Sequence, residues 1–340
     1  MHNHEQQLEH KQRISLHKVF SKQMSPDDPA HLDACELKKH CYHGFSDRLL
    51  RPMYWKVFLY HYSRNKFRAE LFSSRRRELY EAYAASISHQ GSSIHKHYNL
   101  IENDVKRTFI RPRVHRMSAQ SYTRSCDFLD ACTSDPGASH RSAIKRILMC
   151  YSIANSSIRY VQGMNFVACV VYYVMCAANG TGSSRDIESD TFFCFNNLMA
   201  EIGDNFTEDL DHSSAGIAYR IGIVAGIVKT ADSELYSVMK SKGLDNCMFC
   251  MRWILLMFGS CFEIDDVVWL WDRLLSDASR FEMVLYCCAS IIILMRNTII
   301  SNDFDGCMQM LQESSIVDAK TMFYMADGLR RKHLESMLQH

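Results

Sequence analysis

Apolar residues recur at helical spacing in widely separated parts of the chain, and this periodicity limits the fold more than any other feature. Ile144, Ile147, Leu148 and Tyr151 fall at i, i+3, i+4 and i+7, the stripe that a helix turns toward a core. Phe195, Leu198, Met199 and Ile202 repeat the pattern. So do Val267, Leu270, Trp271 and Leu274, with Asp265 reading as the N-cap. Leu49, Met53, Trp55, Val57, Phe58 and Leu59 predict a further helix with a broad buried side. Alternation at strand period is rare. The 340 residues hold only 5 prolines and 14 glycines, too few for the many tight turns of a β-sandwich. The expected fold class is all-α.

Composition narrows the function. With 47% hydrophobic residues the chain can bury a large core, which excludes a mostly disordered protein. Lys+Arg number 39 against 38 Asp+Glu, and a net charge of +1 argues against a general nucleic-acid binder. The 14 cysteines include Cys169, Cys176, Cys287 and Cys288, which sit in apolar stretches where free cysteine packs as a small hydrophobe. The polar start MHNHEQQLEHKQR lacks the apolar core of a secretory leader, so a reduced, cytoplasmic protein is expected. The apolar runs 166–178 and 286–295 are shorter than the about 17–25 residues that span a bilayer. They predict buried helices, with any membrane contact peripheral.

Residues 1–30 are polar, rich in His and Gln, and read as a mobile arm ending at Ser25-Pro26-Asp27-Asp28-Pro29. One helical domain is expected over 31–333, with room for two lobes, then a tail over 334–340. Loops are expected at Ser134-Asp135-Pro136-Gly137, at 179–184 and at Ser241-Lys242-Gly243.

Two short segments carry chemistry. In Tyr98-Asn99-Leu100-Ile101-Glu102-Asn103-Asp104-Val105-Lys106-Arg107, Asn99 with Glu102 fits a capping box and predicts a helix start. Asp104 and Arg107, three apart, can meet on one helical face. Alone, that pair reads as an ordinary surface ion pair worth a few tenths of a kcal/mol. In Arg159-Tyr160-Val161-Gln162-Gly163-Met164-Asn165, a Gln-Gly pair precedes a fully apolar run, which puts Gln162 at the exposed mouth of a buried helix. Alone, Gln162 reads as a polar residue satisfying free N–H groups there.

Taken together and in this order, the segments resemble the TBC domain family of Rab GTPase-activating proteins. That family's signatures are I-x-x-D-x-x-R, matched by Ile101, Asp104 and Arg107, and Y-x-Q-G-M-N, matched by Tyr160, Gln162, Gly163, Met164 and Asn165. Gly44-Phe45-Ser46, Leu50-Arg51 and Trp55-Lys56 are similar to its opening; Arg252-Trp253 and Trp269-Leu270-Trp271-Asp272-Arg273-Leu274 are similar to its later part. The similarity covers roughly residues 35–318. The chain departs from the family after the arginine, reading Thr108-Phe109-Ile110-Arg111-Pro112-Arg113 where Pro-Asp is common.

The resemblance implies a GTPase activator, not itself a hydrolase, that acts in trans on a GTP-loaded Rab. Arg107 would be an arginine finger and Gln162 would orient the attacking water in place of the Rab's own glutamine. Asp104 would aim Arg107, while Tyr160, Gly163 and Asn165 would shape the loop carrying Gln162. It implies no cofactor of its own, GTP and Mg2+ belonging to the partner, and a cytoplasmic location with transient visits to membranes. The competing expectation is a Rab-binding scaffold without catalytic effect.

Other signals are weaker. Cys247-Met248-Phe249-Cys250 has redox or zinc spacing without a second ligand pair, and predicts packing in an apolar helix rather than a metal site. Arg75-Arg76-Arg77, near Arg64, Lys66 and Arg68, forms a basic run that reads as solvated, or as attraction to anionic lipid. The four tryptophans are expected in the core.

Overall fold

The computed structural model describes residues 34–43, 49–60, 66–89, 92–110, 127–130, 139–177, 183–207, 216–312 and 317–338. The arm over 1–30, Gly44-Phe45-Ser46, Ser134–Gly137, most of the 179–184 loop and Arg111-Pro112-Arg113 lie outside them. The described chain is all-α, with no β-strand among its residues. It divides into two compact units, the first running to Glu201 and including Glu263–Ser276, the second comprising Ile202–Phe262 and the residues from Asp277 onward.

The first unit contains α1 (Ala34–Tyr42), α2 (Arg51–Phe58), α3 (Lys66–Ser86), α4 (Ser92–Arg107), α5 (His140–Ala154), α6 (Met164–Cys176) and α7 (Ser184–Ile202), joined by α11 (Ile264–Ser276). Its centre is α6. Twelve of its thirteen residues are buried, as expected of a helix apolar all round, and it packs against α2, α4, α5 and α11. Ser139 caps α5, its Oγ accepting the Ser142 N–H at 3.1 Å. The α5 stripe of Ile144, Ile147, Leu148 and Tyr151 is buried. Each such side chain contributes about 1.5–3 kcal/mol relative to exposure.

Segments 221 residues apart meet in a buried charge cluster. The Asp272 carboxylate, fully buried on α11, accepts Arg51 Nε at 3.0 Å, Trp55 Nε1 at 2.8 Å and the Tyr54 hydroxyl at 3.2 Å. Trp55 and Trp271 stack beside it with ring centroids 5.9 Å apart. A carboxylate is tolerated in a core only with this density of donors. Glu188 on α7 repeats the solution, accepting the Tyr80 hydroxyl from α3 at 2.8 Å and Arg146 Nε from α5 at 2.9 Å.

The second unit contains α8 (Ile217–Ala231), α9 (Ser233–Ser241), α10 (Met251–Leu255), α12 (Met283–Leu294), α13 (Arg296–Ser301), α14 (Phe304–Gln312) and α15 (Ala319–Met337). The apolar α12, with Cys287 and Cys288 buried, packs against α8 and α15. Ser290 Oγ donates to the Met322 carbonyl at 2.9 Å, and Arg330 pairs with Asp277 at 2.6 Å. No helix among the described residues is long and apolar enough to cross a membrane.

Several local expectations need correction. Helix α4 begins at Ser92, so Asn99 and Glu102 are not a capping box; Glu102 instead pairs with Lys106 and Lys145. Asp265 lies inside the first turn of α11, where the Glu263 carbonyl accepts the first N–H bonds, and it accepts the Tyr173 hydroxyl at 3.1 Å. Leu49 precedes α2 and is exposed. Trp55, Trp253 and Trp271 are buried, but Trp269 is only partly so and carries the Arg273 guanidinium 3.5 Å above its ring.

Candidate functional site

Arg107 is the last residue of α4, where a cation suits the negative end of the helix dipole. Its side chain is 68% exposed, yet its Nη2 donates to Asp104 Oδ1 at 2.7 Å, and that carboxylate is buried. An exposed cation gripped by a buried acid gains little stability from the contact. What it gains is direction. Thr108, just beyond the helix, donates its hydroxyl to the Asp104 carbonyl at 2.7 Å and closes the last turn.

The second segment leaves α5 through Asn155, whose amide donates to Asn196 Oδ1 at 2.8 Å. Arg159 then takes a left-handed conformation, φ +58°, unusual for a residue with a Cβ. Gly163 follows at φ +105°, a region where any side chain is strained, and opens α6 as its N-cap. Between these two turns Tyr160 points inward and Gln162 is exposed.

Buried side chains lace the segments together. The Tyr160 hydroxyl donates to Asp104 Oδ2 at 2.7 Å; its other contact, Asn165 Oδ1, is at 3.1 Å. Asn165 Oδ1 accepts the Gly163 N–H at 3.1 Å, and Asn165 Nδ2 donates to Thr108 Oγ1 at 2.6 Å. Burial, then the adjacent Asp104, pushes the Tyr160 hydroxyl far above its ordinary pKa, so it remains a donor. One chain of bonds thus runs from the Gln162-bearing loop through Asn165 and Thr108 to the helix that ends in Arg107.

A second brace comes from α5. Arg141 Nη1 donates to the carbonyls of Val105 at 2.5 Å and Thr108 at 3.0 Å, both at the free end of α4. Its Nη2 reaches Asp127 Oδ2 at 2.5 Å and its Nε reaches Asp130 at 2.7 Å. Asp127 Oδ1 in turn accepts the Ile110 N–H at 2.9 Å. Sequence reasoning missed Thr108, Asp127 and Arg141. No spacing rule pairs Arg141 with carbonyls more than thirty residues earlier.

A family model for the Rab-GTPase-TBC domain matches residues 48–300, a stretch that contains both segments and the Asp272 cluster. The chain belongs to the Rab-GTPase-TBC domain family. Among relatives of this TBC domain, TBC1 domain family member 13 of Mus musculus is 37% identical over 191 residues, 56% of this chain and 48% of that protein. The GTPase-activating protein GYP1 of Saccharomyces cerevisiae is 24% identical over 255 residues, 68% of this chain and 36% of that protein. The chain therefore spans about half the length of the member 13 relative. The solved Ypt/Rab-GAP domain of Gyp1p shares the fold, with a TM-score of 0.74 at 21% identity, covering 96% of this chain and 99% of that one.

Within this TBC domain all six sequence-predicted site residues fall in the first unit. Arg107 and Gln162 are exposed; Asp104, Tyr160, Gly163 and Asn165 are buried beneath them. The other signals lie elsewhere. Cys247 and Cys250 are buried in the second unit, in a short 3-10 turn rather than an apolar helix, and burial pushes the Cys247 thiol up to about 12. No three His, Cys, Asp or Glu residues gather to hold a metal ion among the described residues. In the basic run, Arg76 lies over Phe72 and Phe193 at 4.7 and 4.4 Å, and Arg77 pairs with Asp186 at 3.2 Å. Two of its three cations are thus engaged with their own domain.

Proposed function

We propose that this domain accelerates GTP hydrolysis by a GTP-loaded Rab-family GTPase, inserting Arg107 and Gln162 together at the partner's nucleotide. The observation that carries this reading is the pairing of two exposed side chains on one buried scaffold. Asp104 holds Arg107 with one oxygen and the Gln162-bearing loop, through Tyr160, with the other.

Phosphoryl transfer asks little covalent chemistry of the protein; positioning and charge neutralisation dominate. Arginine suits the first role because its planar, permanently charged fork can touch two phosphoryl oxygens. A finger supplied in trans is worth about 10³–10⁵ in rate, or roughly 4–7 kcal/mol of barrier. Glutamine suits the second because its carboxamide can accept from the attacking water and donate to backbone. Asp104 aims Arg107 and takes no proton. GTP and Mg2+ come with the Rab, and the domain needs no cofactor. It would work in the cytoplasm, meeting membranes transiently through its partner.

Phosphate release from a panel of GTP-loaded Rabs tests the proposal. The wild-type chain is expected to raise the rate about 10³-fold or more for at least one Rab, and Arg107→Ala and Gln162→Ala to lose most of that gain. Binding to a GTP-loaded Rab with no acceleration of any would overturn catalysis and leave a scaffold.

A further inference from the structure

We infer that Phe109, flanked by Leu100 and Ile158, forms an apolar collar around the two exposed polar residues and grips the GTPase they enter. The inference rests on the proposed function. Phe109 is 60% exposed. Leu100 is also exposed and lies on the α4 stripe of Leu100, Asn103 and Arg107, at i, i+3 and i+7. Ile158 is exposed on the loop that carries Gln162.

A single exposed apolar side chain means nothing, because much of any protein surface is apolar. The mounting of Phe109 is different. The Thr108 carbonyl before it accepts Arg141 Nη1 at 3.0 Å, and the Thr108 N–H donates to the Val105 carbonyl at 3.2 Å. After it, the Ile110 N–H donates to Asp127 at 2.9 Å and the Ile110 carbonyl accepts the Phe128 N–H at 2.9 Å. All four of these backbone groups flanking Phe109 are thus hydrogen-bonded, yet its ring faces water. The Arg141 guanidinium lies 6.0 Å from that ring, toward its outer range for a cation–π contact.

A rigid, exposed aromatic loses little entropy on binding, which is the profile of an interface anchor. Its position fixes the partner. Phe109 is two residues from Arg107, so whatever surface rims the nucleotide that Arg107 reaches must also meet this ring. In a GTPase that rim consists of switch segments ordered by the γ-phosphate and Mg2+. Phe109 therefore contacts a surface that exists in the GTP state and is lost after hydrolysis. A ring, two aliphatic side chains and an arginine at the centre match the composition of interface cores.

The test uses a Rab that the wild-type chain stimulates. Phe109→Ala is expected to raise KM about tenfold or more with kcat within about threefold, the inverse of Arg107→Ala. In an Arg107→Ala/Gln162→Ala background, which stops turnover, adding Phe109→Ala is expected to weaken binding to the GTP-loaded Rab by a similar factor, with GDP-loaded binding weak throughout. Leu79→Ala, which also removes an exposed apolar side chain, on α3, should change neither. An unchanged KM and unchanged binding would overturn the inference, as would a loss confined to kcat, which would make Phe109 part of the Arg107 mount. If the wild type neither binds nor stimulates any Rab, the proposed function fails and this inference falls with it; a stimulating wild type with an indifferent Phe109→Ala sinks this inference alone.

Discussion

The Tyr160 hydroxyl donates to Asp104 across 2.7 Å in the buried interior, while the other oxygen of the same carboxylate holds the exposed Arg107. Tyr160 belongs to the glutamine segment and Asp104 to the arginine segment, so one carboxylate ties both to a common frame. Removing that hydroxyl leaves a buried carboxylate oxygen without its donor, at a cost of about 1–3 kcal/mol. Tyr160→Phe should therefore lower the urea midpoint of unfolding. It should also reduce the stimulated rate at saturating Rab by about tenfold, since Arg107 and Gln162 would no longer be held in register.

Arg141 makes a second prediction. Its fork serves two carbonyls at the end of α4 and two carboxylates at once, a geometry that one ammonium cannot reproduce. Arg141→Lys should loosen the turn that carries Arg107 without unfolding the domain. The expected signature is a fall in kcat of about tenfold with KM within about twofold, together with faster amide exchange at Ile110. An equal loss of thermal stability and activity, without local exchange, would make Arg141 merely structural.

Trp55 tests the core cluster. Trp55→Phe keeps most of the ring stacked on Trp271 but deletes the N–H that reaches Asp272 at 2.8 Å. The expected loss is about 1–3 kcal/mol in denaturant unfolding, with the exposed pair Arg107 and Gln162 still functional in the surviving folded fraction. Arg51→Ala should cost more, about 3–5 kcal/mol, because it strips a fully buried carboxylate of an ion-pair partner 3.0 Å away.

Much of this was readable in the sequence, and the residues show why. Asp104 and Arg107 stand three apart on a helix, so their contact follows from helical geometry, whereas the positive φ at Gly163 belongs to the folded path of its loop. The apolar stripes of α5, α7 and α11 needed only periodicity. The start of α4 was misplaced because Ser92–Tyr98 is mostly polar and offers no stripe, leaving Asn99 as a plausible cap. Arg51, Trp55 and Asp272 were recognisable as family positions, but that they share one buried cluster is a tertiary fact. Arg141 was invisible for the same reason: its partners are carbonyls and carboxylates set by the path of the chain, not by any repeat.

Acidification should act near the same brace. His140, beside Arg141 at the start of α5, stacks on Phe128 with centroids 4.5 Å apart and places Nδ1 3.0 Å from the Tyr172 hydroxyl. Burial lowers its pKa below the ordinary value. A depressed folded-state pKa means that unfolded chains bind the proton first on acidification. The His140 contribution is thus full above about pH 6.5 and is lost as pH falls through the folded pKa. Wild type should lose more unfolding free energy between pH 7.5 and 5.5 than His140→Gln, which stays neutral; equal losses would locate the acid sensitivity elsewhere.

In the proposed mechanism Gln162 does the work of the Rab's own glutamine at the nucleotide that Arg107 neutralises. This role is tested most directly by single-turnover GTP hydrolysis on a responsive Rab whose own catalytic glutamine has been replaced by alanine. The wild-type chain is expected still to accelerate this Rab to within about tenfold of its effect on the unaltered one, and Gln162→Ala to abolish the acceleration. Collapse of stimulation with the wild-type chain, while the altered Rab still binds it, would overturn the glutamine role proposed for Gln162.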